Sequence, residues 1–93
     1  MTTDVRDNTE TSWFEIVVDG EVAGRAEYRR ADGEIVFTHT VIDPAFEGQG
    51  LGGKLARGAL DAVRASGEKV VAKCEFIAGW IDKHPDYHDL LAG

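Results

Sequence analysis

Four glycines stand within positions 48–53 of this chain, between a run that predicts a β strand and a pattern that predicts an α helix. They are Gly48, Gly50, Gly52 and Gly53. The first N–H groups of a helix have no partner within the helix, and the helix dipole favours negative charge at that end. Glycines let a ligand approach such a backbone closely. The stretch therefore predicts an anion site, and a phosphate-bearing ligand is the first candidate.

The part of the chain before the glycines predicts three antiparallel strands. Residues 13–18, 21–30 and 34–42 are rich in β-branched and aromatic residues, and Asp-Gly pairs predict the tight turns between them. In the second strand we expect Val22 to be buried on the same face as Ala26 and Tyr28. Residues 1–11 are polar, so we expect a flexible segment there, followed by one domain over residues 12–93.

The part that follows the glycines predicts two helices around one strand. Apolar residues recur at helical spacing over residues 50–66, and Gly67 is placed to end that helix. Gly58 is a defect inside this helix unless another element packs closely against it. Residues 68–75 predict a fourth strand, residues 76–83 a second helix, and residues 86–91 one more helical turn. The order β-β-β-α-β-α predicts an α/β sandwich with a twisted mixed sheet, in which the fourth strand runs parallel to a neighbour.

Composition excludes several classes of protein. The formal net charge is −7 and no basic patch occurs, so we expect no nucleic-acid partner. No apolar segment reaches the length of a membrane span, and the N-terminus lacks a signal-peptide pattern, so we expect no membrane partner and a cytoplasmic location. Cys74 is the single cysteine, which excludes an intramolecular disulfide. We expect a monomer or a weak dimer.

The glycine stretch fits two phosphate-binding motifs incompletely. Gly48-x-Gly50-x-x-Gly53 fits the dinucleotide fingerprint, but that fold begins with a parallel βαβ unit, whereas an antiparallel meander is predicted here. Gly48-x-x-x-x-Gly53-Lys54 nearly fits the P-loop. Leu55 stands where that motif has the Ser or Thr whose hydroxyl binds Mg²⁺.

A third pattern fits better, because residues 47–52, Glu-Gly-Gln-Gly-Leu-Gly, resemble the acyl-CoA loop [Gln/Arg]-x-x-Gly-x-[Gly/Ala] of the GNAT-type N-acetyltransferases. The ordered segments His-Thr-Val at 39–41, Lys-Cys-Glu-Phe at 73–76 and Trp-Ile-x-x-His-Pro-x-Tyr at 80–87 extend the resemblance to the small single-domain branch of that superfamily. Two features depart from the pattern. Glu47 replaces the usual Gln or Arg, and the N-terminal helix pair and final hairpin that shape the acceptor site are missing.

The resemblance implies a GNAT-like fold, acetyl-CoA as the acyl donor, an amine as the acceptor and no metal. The residues it implies in cofactor binding are Gly48, Gln49, Gly50, Leu51, Gly52 and Gly53 at the pyrophosphate, Val41 and Ile42 along the pantetheine arm, and Lys54, His84 and Tyr87 as further contacts. Lys54 could equally be a solvated surface cation, His84 could cap the short helix, and Trp80 fits a packing role.

Cys74 and His39 are the candidate catalytic residues. Cys74 could form an acetyl-enzyme or protonate the departing thiolate, and His39 could act as a general base. Each has a structural alternative, since a cysteine on an apolar strand face and a histidine beside Phe37 and Val41 are often core residues. His39, Cys74 and His84 are too few and too dispersed to predict a zinc site. The predicted function is acetyl-CoA-dependent N-acetyl transfer, and the alternative is a CoA-binding module without turnover.

Overall fold

Two tight turns fold the first half of the chain back on itself. Asp19 and Gly20 have φ angles of 48° and 86°, and Asp32 and Gly33 have φ angles of 51° and 78°. Two successive positive φ values are typical of the turns that match the twist of a β hairpin. In the computed structural model, which describes residues 2–92, these turns join three antiparallel strands. They are β2 (Trp13–Val18), β3 (Glu21–Ala31) and β4 (Glu34–Ile42).

A further strand, β1 (Thr3–Asn8), pairs antiparallel with β2 at the edge of the sheet. The expectation of a flexible segment over residues 1–11 is therefore wrong for residues 3–8, while Met1 lies outside the described residues. The strand looks unstructured in sequence because its polar residues lie largely at the surface. Its Val5 packs instead on Gly58 of helix α1 (Leu51–Ser66), where an added Cβ would lie 2.7 Å from the Cβ of Val5. Gly58 thus permits close packing of the helix on this strand.

Helix α1 makes the crossover from β4 to β5 (Lys69–Ala72), and these two strands are parallel, as predicted. The helix begins after Gly50 and ends at Gly67, which has a φ angle of 80° that an L-residue rarely adopts. Its buried stripe includes Leu51, Leu55 and Leu60. The sheet order is β1-β2-β3-β4-β5, so the mixed α/β sheet with packed helices is confirmed, with one strand more than predicted.

Strand β5 is shorter than the predicted strand over residues 68–75. The N–H groups of Lys73 and Cys74 both donate to the carbonyl oxygen of Phe37, each at 3.0 Å. This double contact ends the regular ladder, and helix α2 (Glu75–Asp82) begins directly afterwards. A 3₁₀ segment, Pro85–Leu90, follows, and the N–H of Ala92 then donates to the carbonyl oxygen of Val70 at 2.9 Å.

One core lies between the sheet and the two helices, and Phe14, Ile16 and Phe37 are among its fully buried members. The prediction that Val22 is buried is wrong, since it is 46% exposed. The pairing of β2 with β3 slips between Ile16 and Val17, and the extra residue that this leaves in β3, Ala23, takes the buried position. Within residues 2–92, no helix is long and apolar enough to cross a membrane.

Candidate functional site

The glycine stretch forms a loop between β4 and α1, and two of its glycines are required by backbone conformation. Asp43 opens the loop, where its carboxylate accepts a hydrogen bond from the N–H of Ala45 at 2.9 Å. Gly48 and Gly50 then have φ angles of 83° and 72°, in the left-handed region that favours glycine. Gly50 is the N-cap of α1, so its left-handed conformation sets the direction in which the helix starts.

The other two glycines of the loop lie against α2. A Cβ on Gly52 would lie 2.8 Å from the ring carbon Cζ of Phe76, and a Cβ on Gly53 would lie 3.7 Å from the indole nitrogen of Trp80. The first turn of α1 therefore lies directly against two aromatic side chains of α2. Gly52 is needed for that close approach, whereas Gly53 has room for a methyl group.

Backbone N–H groups collect at this end of α1. Among residues 2–92, the N–H groups of residues 48–51 donate to no backbone acceptor, and Gly52 and Gly53 lie in the helix turn that has no intrahelical acceptor. No acidic residue stands in that first turn. Glu47, which replaces the usual Gln or Arg, is exposed, as is Lys54. The arrangement is that of an anion site at a helix N-terminus.

Beside this loop, β4 and β5 separate. Their pairing ends at Phe37 and Ala72, while β4 continues to Ile42. The N–H of Asp43 donates to the carbonyl oxygen of Ala23 at 2.7 Å, so Asp43 faces β3. Because backbone groups alternate in direction along a strand, those of Ile42 face the open edge.

Val41 differs from Ile42, although the resemblance implies the same contact with the pantetheine arm for both residues. The Val41 carbonyl oxygen lies 2.8 Å from where a Cβ on Gly24 of β3 would be, so this group faces the neighbouring strand. Only Ile42 of the two presents its backbone groups at the edge that β5 leaves open.

A cavity of about 320 Å³ occupies the gap between the separated strands, and it is lined by residues 38–40 and 73–76. Cys74 stands at its base as the N-cap residue of α2, with 7% of its surface exposed. The sulfur of Cys74 lies 3.1 Å from the hydroxyl oxygen of Thr40, within the distance of a hydrogen bond that involves sulfur. Cys74 is therefore buried but is placed at the wall of a cavity.

His39 lines the same cavity from β4, and it is exposed, so the alternative of a buried core histidine is wrong. Successive side chains of a strand point to opposite faces of the sheet. Thr40, which contacts Cys74, lies on the face that the helices cover, and His39 lies on the other face. The cavity thus connects a thiol on the helix side of the sheet with an imidazole on the opposite side.

His84 and Tyr87 do not line this cavity. The ring of His84 stacks on Trp80 with centroids 3.8 Å apart, and its Nδ1 lies 2.6 Å from the Trp80 carbonyl oxygen. The hydroxyl of Tyr87 donates to a carboxylate oxygen of Asp61 at 2.6 Å and accepts from Arg57 at 3.2 Å. The hydrogen bond to Asp61, together with burial, raises the pKa of Tyr87. Through these contacts, His84 and Tyr87 pack the C-terminal segment against α1 and α2. Trp80 packs beside both residues.

Sequence reasoning missed two of the residues that shape the site, Thr40 and Phe76. Thr40 faces Cys74 only because the register of β4 on β3 shifts between Glu27 and Tyr28, and no local pattern predicts that shift. Phe76 is the second residue of α2, and its side chain is 43% exposed. The close succession of Gly52 and Gly53 was a signal that bulky side chains pack on the start of α1.

Comparisons with known proteins agree with this geometry. A family model described as GCN5-related N-acetyl-transferase matches residues 13–90. A GCN5-like protein from Staphylococcus aureus, solved by NMR, superposes with a TM-score of 0.71 at 26% sequence identity, covering 97% of this chain and 88% of the other. A search of curated proteins gives no match. Within the described part of the chain, no group of three or more histidine, cysteine or carboxylate side chains could hold a metal ion.

Proposed function

Because the chain belongs to the GCN5-related N-acetyltransferase family, we propose that it transfers an acetyl group from acetyl-CoA to an amine. One observation carries the proposal. The cavity that contains Cys74 and His39 opens between β4 and β5, beside a glycine loop whose N–H groups are free to bind an anion. A thioester whose other end is a pyrophosphate fits such a pair of adjoining sites.

The pyrophosphate of acetyl-CoA would bind at the N-terminus of α1. The N–H groups of residues 48–53 supply donors, and the helix dipole adds a positive field. The left-handed conformations of Gly48 and Gly50 support this role, because they expose consecutive N–H groups on a turn. Glu47 is exposed, so its carboxylate can remain in solvent away from the phosphates.

The pantetheine arm would run along the open edge of β4. This arm carries two amides, and an unpaired strand edge offers backbone donors and acceptors of matching kind. The outward-facing groups of Ile42 lie between the glycine loop and the cavity, since β4 leads from Phe37 to the loop. Such pairing would bring the thioester to the cavity that Cys74 and Thr40 line.

Acetyl transfer would then use groups from both faces of the sheet. The neutral amine attacks the acetyl carbonyl carbon, a C–N bond forms, the C–S bond breaks, and the amine proton passes to a base. His39 would accept that proton on the exposed face, and Cys74 would protonate the leaving sulfur on the helix face. A route through acetyl-Cys74 uses the same cavity. It transfers the acetyl group first to the sulfur of Cys74 and then to the amine.

Thermal unfolding with four ligands tests the binding half of the proposal. Acetyl-CoA, CoA, ATP with Mg²⁺, and NAD are each added in excess. A ligand at about 100 times its Kd stabilises the folded state by about 2.7 kcal/mol. We expect a rise in Tm with the two CoA species only. A rise with ATP or NAD alone would favour one of the other two motifs that the loop partly fits.

The mass of the protein after incubation with acetyl-CoA alone separates the two chemical routes. A gain of one acetyl group that disappears in Cys74→Ser would establish the acetyl-enzyme. An unchanged mass, in a protein that releases CoA once an amine is added, would favour direct transfer. Binding of CoA without turnover on any amine would instead identify a CoA-binding module.

A further inference from the structure

A second cavity lies beside the one that contains Cys74. It measures about 290 Å³ and is lined by Glu75, Phe76, Gly79, Trp80 and Lys83, all from α2 and the residue that follows it. The two cavities share only Glu75 and Phe76. The exposed ring of Phe76 therefore stands as the wall between them. We call the second cavity the α2 groove.

Two aromatic residues connect these cavities with the first turn of α1, since Phe76 lines both cavities and Trp80 lines the α2 groove. Phe76 lies against Gly52, and Trp80 lies against Gly53. These two aromatic side chains of the α2 groove therefore contact the proposed pyrophosphate site. An elongated ligand whose pyrophosphate is bound at this turn has a cavity available on each side of Phe76. CoA has such a shape, with the thioester arm at one end and 3′-phosphoadenosine at the other.

The chemistry of the two cavities decides which end goes where. The first cavity is lined by the thiol of Cys74 and the imidazole of His39. These are the proposed reacting groups, so the thioester end of the ligand has to lie in this cavity. The α2 groove offers instead the flat aromatic surfaces of Phe76 and Trp80. Trp80 already stacks on His84 and lies 5.3 Å from the guanidinium of Arg57, so the exposed Phe76 ring is the freer surface for a base.

Lys83 adds a positively charged group to the lining of the α2 groove. The ammonium group of Lys83 forms no ion pair and no hydrogen bond with any residue between 2 and 92. Lys83 follows Trp80 by three residues, which is about one helical turn along α2. A phosphate on the ribose of an adenosine that lies against Phe76 and Trp80 would meet this cation.

We propose that the α2 groove binds the 3′-phosphoadenosine end of CoA, with the adenine against Phe76 and Trp80 and the 3′-phosphate at Lys83. The inference rests on the proposed function, since it assigns the second end of the same cosubstrate. It predicts that the protein distinguishes CoA from 3′-dephospho-CoA, and that the distinction depends on Lys83.

Calorimetric titration with CoA and with 3′-dephospho-CoA tests the assignment in the wild-type protein and in two matched variants. Lys83→Gln removes the cation of the α2 groove, and Lys73→Gln removes a cation of the Cys74 cavity with the same change in net charge. We expect the wild type to bind CoA about fivefold more tightly than 3′-dephospho-CoA, the scale of one exposed charge-assisted hydrogen bond. Lys83→Gln should abolish this preference, and Lys73→Gln should keep it.

The opposite pattern, in which Lys73→Gln alone abolishes the preference, would overturn the assignment, as would a wild type that binds both compounds equally. Failure to bind either compound would instead overturn the proposed function itself.

A second measurement avoids substitutions. The indole N–H signal of Trp80 in an NMR spectrum should shift when adenosine 3′,5′-bisphosphate is added, while that of Trp13 on β2 should stay in place. A Trp80 signal that does not move at saturating bisphosphate would refute adenine binding in the α2 groove.

Discussion

The hydroxyl oxygen of Thr40 lies 3.1 Å from the sulfur of Cys74, although 34 residues separate the two in sequence. The contact forms where β4 continues past the end of β5, because the carbonyl of Phe37 holds both Lys73 and Cys74 at that point. Cys74 therefore has a defined partner at the wall of a cavity. The contact gives a polar partner to a thiol that also belongs to the hydrophobic core.

Gly50 and Gly53 should respond differently to the same substitution. Gly50→Ala places a side chain at a left-handed backbone position, which costs about 1–2 kcal/mol of stability. Gly53→Ala stands in a helix with room for a methyl group and should stabilise the protein by up to about 1 kcal/mol. Chemical denaturation of both variants measures the difference. Equal losses of stability would contradict the assignment of Gly50 as a conformational requirement and of Gly53 as a position with room for a methyl group.

The packing of β1 on α1 predicts a change of sign in a double-mutant cycle. Gly58→Ala in the wild-type protein forces a methyl group against Val5 and should cost about 1–3 kcal/mol. In a Val5→Gly background, which removes the side-chain atoms of Val5 that the added methyl group would meet, the same substitution should stabilise by about 0.5–1 kcal/mol, because alanine is the better helix former. Denaturant titration of the four proteins gives the coupling. A cost for Gly58→Ala that is the same in both backgrounds would mean that β1 does not dock where the structure places it.

Glu15 should make stability depend on pH in the acidic range. It is 4% exposed and accepts hydrogen bonds from Trp13 at 2.9 Å and from Arg6 at 2.7 Å. The bond from Trp13 is the largest contribution, and together these bonds lower the pKa of Glu15 below its ordinary value of 4.5, against the effect of burial. The folded state favours the charged form of Glu15. The stabilisation that this carboxylate contributes is therefore present above pH 4.5, and it is lost as the pH falls through the lower pKa that Glu15 has in the folded protein.

Glu15→Gln is the test of this dependence. The variant should be less stable at pH 7 by about 1–2 kcal/mol, and the difference from the wild type should shrink between pH 5 and pH 2 in thermal unfolding curves. A difference that stays constant over this range would show that the charge of Glu15 does not contribute.

Tyr87 should produce a dependence at the alkaline end. Its hydrogen bond to Asp61 raises the pKa above the ordinary value of 10.0, so the folded state favours the protonated phenol. The stabilisation from this hydrogen bond is complete below pH 10, and it is lost as the pH rises through the pKa that Tyr87 has in the folded protein. Tyr87→Phe should cost about 1 kcal/mol at pH 8, and this cost should shrink as the pH rises above 10. Thermal unfolding of the two proteins measures it, and a cost that grows with pH would contradict the hydrogen bond to Asp61.

The sequence predicted the elements whose signals are local. The Asp-Gly turns, the helix between Gly50 and Gly67, and the parallel crossover to β5 follow from turn chemistry, helical spacing and helix-ending glycine, and all are confirmed. The motif order predicted that the glycine loop and Cys74 belong to one site, and the structure brings the loop and the Cys74 cavity together through Phe76.

The features that the sequence did not predict depend on pairing between distant strands. The polar residues of β1 give no strand signal. The strand is held by its pairing with β2, by the contact of Val5 with Gly58, and by hydrogen bonds from Tyr28 and Arg30 of β3 to Asp7. The register shifts in β3 and β4 decide that Val22 is exposed and that Thr40 faces Cys74. His84 and Tyr87 follow the family pattern in sequence, but aromatic stacking and the contact with Asp61 turn them toward the helices.

The most direct test of the central claim is the rate of CoA release from acetyl-CoA in the presence of an amine, measured for the wild type, Cys74→Ala and Val17→Ala. Val17 lies on β2 outside the cavity and controls for small losses of stability. We expect Cys74→Ala to lower kcat by at least about 100-fold while the affinity for CoA is unchanged, the scale that follows loss of a nucleophile or a proton donor. Full turnover by Cys74→Ala would contradict the account and return Cys74 to a packing role.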